Sequence, residues 1–155
     1  MKRFFSVCLT LVLLFSFGCS AMALEVPPPD QIADDLVSDH GEWFNPFRSA
    51  DFAISYTSYG IEKKSSTSVF VAGTTRTNET ADVVRVLITV QQWKNNRWNN
   101  YDSISNRAYG ATECKHSGTI AVDSGYYYRV HVTHEALSGN ISPTLHSYSK
   151  STLIN

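Results

Sequence analysis

The residues in this chain that could do chemistry are five histidines, three cysteines (Cys8, Cys19 and Cys114), scattered carboxylates and a cluster of aromatics. Histidine comes first because imidazole serves both as metal ligand and as general base. The histidines are His40, His116, His131, His134 and His146. His131 and His134 stand three apart in an alternating segment, so on a strand they point to opposite faces. A zinc site on a strand would prefer ligands two apart, with a further ligand elsewhere. The spacing therefore argues against a bound metal, and no cofactor motif is present. Cys114-Lys115-His116 puts a thiol and an imidazole on one face of a strand. Such a pair could act as an activated nucleophile. It lacks a third orienting group and a glycine-rich oxyanion turn. No serine sits in a Gly-x-Ser-x-Gly elbow. Hydrolysis of glycans needs two carboxylates facing each other. Here they gather near the N-terminus (Asp34, Asp35, Asp39) or stand singly at turns (Asp82, Asp102, Asp123). The chain therefore reads as non-catalytic, with a small hydrolase as the weakest alternative.

The aromatics carry more promise. Trp93, Trp98 and Tyr101 surround Lys94-Asn95-Asn96-Arg97. Consecutive asparagines tolerate positive φ, which tight hairpins demand. If exposed, these rings could stack on sugars or anchor a protein partner. The plainer reading is that Trp93 and Trp98 face each other across the hairpin and stabilise it.

These residues need strands to hold them. Phe52, Ile54 and Tyr56 alternate with smaller or polar residues. Val84, Val86, Ile88 and Val90 alternate with Arg85, Leu87, Thr89 and Gln91, the pattern of a half-buried strand. Val69 to Ala72, Arg97 to Ser105, Thr119 to Val122, Tyr126 to Val132 and Leu145 to Ile154 complete the set. Asp123-Ser124-Gly125 and Ser138-Gly139-Asn140 supply turns. The spacing predicts an all-β domain, an antiparallel β-sandwich of about seven strands of immunoglobulin-like or fibronectin type III-like kind. Tyr128 shares its phase with Val130 and Val132, so its ring should be buried. Its hydroxyl then needs backbone at the turn, which is the logic of a tyrosine corner.

The N-terminus reads as an export signal. Lys2 and Arg3 precede an uncharged apolar run, Phe4 to Phe17, and then Ala21-Met22-Ala23. Positive flank, apolar core and Ala-x-Ala are the parts of a signal peptide, with cleavage expected after Ala23. The alternatives are an uncleaved anchor and lipidation at Cys19. Leu24 to Ser49, with Pro27-Pro28-Pro29 and several acids, reads as a largely irregular spacer. Ala50 to Asn155 then forms the β domain. Cleavage would leave about 130 residues, one domain's worth. It would also remove Lys2 and Arg3, leaving a net charge of about −3, without the basic stripe of a nucleic-acid binder. No polybasic segment invites a membrane surface after cleavage. Cys114 would then be the sole cysteine, excluding an internal disulfide. It is expected to be buried, the alternatives being a reactive thiol or a dimer bridge.

Two stretches carry a resemblance. Val84 to Trp98 is a Val/Ile-rich strand, then Gln-x-Trp, an Asn turn and Trp. Gly125-Tyr-Tyr-Tyr-Arg-Val-His-Val-Thr-His134 follows. From Asp51 to the C-terminus this resembles a family of small secreted β-rich proteins of Gram-positive, spore-forming bacteria. The resemblance implies secretion and fold and carries over no activity. The expected protein is thus a secreted, non-catalytic monomer that binds cell-wall polysaccharide or a surface protein. The alternative is a secreted effector or antimicrobial protein acting on other cells.

Overall fold

The computed structural model describes residues 40–44, as backbone, and 52–155. The expected cleavage site at Ala21 and Ala23, and most of the Leu24 to Ser49 segment, lie outside the described residues. Seven strands are described: β1 (His40–Phe44), β2 (Ile54–Ser65), β3 (Ser68–Lys94), β4 (Arg97–Ala121), β5 (Tyr126–Leu137), β6 (Thr144–Tyr148) and β7 (Thr152–Ile154). There is no helix among the described residues. All neighbours pair antiparallel in one sheet, with β3 at its centre.

The strands are not divided as the sequence suggests. Val69 to Ala72 and Val84 to Gln91 belong to one 27-residue strand, β3. Its hairpin partner β4 has 25 residues and likewise joins two expected strands. The expected last strand is instead two short ones, β6 and β7, separated at Ser149 to Ser151. The sheet also begins earlier, because β1 lies inside the stretch read as spacer and pairs with β2.

A straight strand of 27 residues would run about 90 Å, far longer than a small domain is wide. The β3–β4 hairpin must therefore fold. It does so where the register shifts between Arg76↔Glu113 and Ala81↔Ala111, which gives β3 three more residues than β4 at the corner. Gly110, at φ 56°, supplies the left-handed backbone on β4. The Thr77 hydroxyl donates to the Glu79 and Thr112 carbonyls there. Asn78 ties the corner to the start of β2, accepting from the Ala53 N–H and donating its own N–H to the Ala53 carbonyl.

Beyond the corner the chain lies back on itself. Thr75 donates to the Arg85 carbonyl, 3.0 Å away. Asn106 donates to the Lys115 carbonyl at 2.9 Å. The first half of β3 pairs with β2 and the second half with β5. One curled sheet thus encloses its own interior. The core consists of the inward positions of both halves: Tyr59, Ile61, Val69 and Val71 with Val84, Val86, Ile88, Val90, Val130 and Val132. Burial of these mostly β-branched side chains is the main favourable term holding the halves together. Two separately hydrogen-bonded sheets are not what the described residues form.

The hairpin tip has both asparagines left-handed, Asn95 at φ 57° and Asn96 at φ 58°. This is the two-residue turn whose twist matches its strands. Replacing Asn96 with alanine should cost about 1 kcal/mol, because a Cβ without a polar side chain is disfavoured there. Asn96→Gly should cost less. Urea unfolding of the two variants checks the order.

Candidate functional site

The turn places Trp93 directly opposite Trp98. Their ring centroids are 5.3 Å apart and tilted by 60°. Trp93 is buried and Trp98 half-buried, so the pair stabilises the hairpin more than it offers an open platform. Tyr101 has a different role. Val90 pairs with Asp102 and Gln91 with Asn100, so Tyr101 is the extra residue of a β-bulge. A bulge re-aims a side chain. The Tyr101 ring meets Tyr128 edge-on, 5.5 Å between centroids, and remains partly exposed.

Tyr128, Val130 and Val132 all point inward and are fully buried. The Tyr128 hydroxyl donates to the Asp123 carbonyl and accepts from the Asp123 N–H and from Gln92 at 2.7 Å. Burial pushes its phenol up to about 12. This closes the turn before β5 onto the core. Cys114 is buried against the opposite half of the hairpin, with its polar contacts to the backbone of Val86 and Ala108. Burial raises its thiol above the ordinary value, which opposes thiolate formation.

The outward face of β5 holds residues that the strand reading passed over. Arg129 is buried although charged. Its guanidinium lies 4.3 Å from the Trp98 ring centroid and 4.9 Å from that of Tyr148. Its Nε donates to Gln91 at 2.9 Å, and Gln91 in turn donates to Asn100. Burial lowers the guanidinium from its ordinary value, and the neighbouring Tyr148 opposes that shift. Delocalised, weakly hydrated charge suits such a slot between rings.

Two residues along β5, His131 stacks on Tyr148, 4.4 Å between centroids and nearly parallel. His131 Nε2 and His146 Nδ1 are 3.1 Å apart. Thr133 Oγ1 is 3.3 Å from the same His146 nitrogen. His131 is pulled below its ordinary pKa by burial first, then by His146 and Arg129. A row thus runs across one sheet face: Trp93, Trp98, Arg129, Tyr148, His131, His146.

The sequence reading singled out Trp93, Trp98 and Tyr101. The structure keeps Trp98 in the row and seats Tyr101 on Tyr128 instead. Arg129 and Tyr148 were missed, and His131 and His146 were weighed only as metal ligands. The available signal was parity: Arg129 and His131 occupy the positions between the inward Tyr128, Val130 and Val132, and His146 and Tyr148 share a phase on β6. His131 and His134 do face opposite ways. The outward one finds its partner on another strand, which spacing within one strand does not reveal.

The class this fold defines is all-β over the described residues, built on one curled antiparallel sheet. Comparison with family models, curated proteins and solved structures finds no match to this chain.

Proposed function

We propose that this is a secreted, non-catalytic binding module that docks cell-wall polysaccharide on the outward face formed by the β3–β4 hairpin end, β5 and β6. The observation that carries the reading is the continuous row from Trp98 through Arg129 and Tyr148 to His131 and His146. The half-buried rings of Trp98 and Tyr148 leave part of their apolar surface open to a sugar ring. Guanidinium and imidazole N–H groups alongside can donate to hydroxyls and to acidic substituents. In this reading the doubled sheet serves as a two-layer, sandwich-like scaffold that holds the row rigid, and the N-terminal leader delivers the protein outside the cell as a monomer. The buried state of Cys114 supports a role without thiol catalysis.

Sedimentation with purified Gram-positive cell walls tests the proposal. The protein should be retained, and Trp98→Ala with Tyr148→Ala should reduce retention at least about tenfold, since each stacked ring contributes on the order of 1 kcal/mol. Circular dichroism must show both variants folded. An unretained parent protein would sink the reading.

A further inference from the structure

His131 and His146 sit side by side on the outward face of β5 and β6. Two imidazoles on adjacent antiparallel strands present nitrogens 3.1 Å apart. At about 2.0–2.1 Å per metal–nitrogen bond, tetrahedral ligand nitrogens stand about 3.3–3.4 Å apart, and ligands at a right angle about 2.9 Å. The observed spacing falls between these values. We propose that His131 Nε2 and His146 Nδ1 form a two-histidine chelate for a borderline divalent transition cation, with copper(II) held most tightly and zinc(II) less so.

The chemistry of the surroundings fits an open surface site. Imidazole suits copper, nickel and zinc, and affinity across that series peaks at copper. No third histidine, cysteine or carboxylate joins the pair among the described residues. Water must therefore fill the remaining positions, and Thr133 Oγ1, 3.3 Å from His146 Nδ1, is placed to hydrogen-bond one of them. Both rings must offer lone pairs, so His131 carries its proton on Nδ1 and His146 on Nε2. The proton now shared between the rings leaves that position through solvent, and each ring stays neutral. The stack of His131 on Tyr148 fixes one ring plane before the ion arrives. Arg129 opposes a cation, but its guanidinium lies over the rings of Trp98 and Tyr148 and donates to Gln91. Preorganisation and open coordination together point to a site of moderate affinity.

Titration calorimetry of tag-free protein with copper(II), and separately zinc(II), tests the proposal, with magnesium and calcium as controls. One equivalent of copper should bind, with nitrogen hyperfine structure in the electron paramagnetic resonance spectrum. His131→Ala and His146→Ala should each weaken it at least about 100-fold, since loss of even an outer partner costs 10–100-fold. His146 is exposed, so His146→Ala should fold normally, which circular dichroism verifies. His116→Ala should leave the titration unchanged. Absence of copper binding, or binding undiminished in the double variant, would overturn the assignment. Retention on cell walls plays no part in either outcome, so this site and the polymer reading fail separately.

Discussion

Gly73→Val is expected to destabilise the protein by about 3 kcal/mol, the upper end of the range for overpacking a close-packed core. Gly73 lies on the first half of β3 without any need for a left-handed backbone, so space is the reason for glycine. A Cβ built there would stand 3.0 Å from Val86 Cγ2 and 3.2 Å from Ile88 Cδ1 and Cγ1. Those side chains belong to the second half of the same strand. Along a straight strand Gly73 and Ile88 would be about 50 Å apart. The contact exists only because the hairpin doubles over. Valine adds two further methyl groups to a gap already tight for one. The partner variant is Ile88→Val, which removes Cδ1 and alone should cost about 1 kcal/mol. In the double variant the losses should not add, and a coupling of at least about 0.5 kcal/mol is expected for groups in contact. Urea unfolding of the four proteins measures it. Strict additivity would mean that the two halves do not touch, and the curled arrangement would have to be abandoned.

The same corner explains what was legible in the sequence and what was not. Alternation from Val84 to Val90 identified half-buried extended chain, because period two records a local fact about which side meets the core. Asn95-Asn96 identified a tight hairpin for an equally local reason. The all-β class followed. Continuity was hidden. No alternating pattern joins Val69–Ala72 to Val84–Gln91, and the chain does change direction between them. Yet β3 passes through the corner by gaining residues against β4, and no turn motif marks such a shift. The expectation of two sheets rested on about seven short strands, whereas Val69–Ala72 and Val84–Gln91 belong to one.

The candidate face was readable only in fragments for a similar reason. Trp93 and Trp98 are close in sequence and meet across a turn. Arg129 reaches Trp98 from another strand, and His131 reaches His146 across the β5–β6 pair. These contacts depend on strand order and register, neither of which a single sequence displays. What the sequence did carry was phase. Once β5 is known to point Tyr128, Val130 and Val132 inward, Arg129 and His131 must share the other face.

The inward histidine leads to the second large effect. His134 is fully buried between the halves. Its Nδ1 is 2.9 Å from Thr75 Oγ1, whose hydroxyl donates to the Arg85 carbonyl. Nδ1 is therefore the protonated nitrogen, donating to Thr75. Nε2, together with Thr57 Oγ1 and Tyr59 Oη, has no hydrogen-bond partner among the described residues. A second proton on His134 would thus place an uncompensated charge in the core. Burial first, then the charges of His146 and His131, pulls its pKa down to about 4 from the ordinary 6.5. The sign follows directly. Between these values the unfolded chain takes up a proton that the folded one refuses, so stability falls as pH drops from about 6.5 to about 4. The gap is worth about 3 kcal/mol over that window. Below about 4 both states are protonated and this group adds no further loss. His131, also lowered, acts in the same direction. His134→Val fills the space with an apolar group and leaves the Thr75 bond to Arg85 in place. The difference in unfolding free energy between parent and variant should therefore shift by about 3 kcal/mol between pH 7 and pH 4, in favour of the variant on acidification. Taking the difference removes the carboxylates, which titrate alike in both proteins. A pH-independent difference would mean that His134 charges freely in the folded state, and that the interior it occupies is wet.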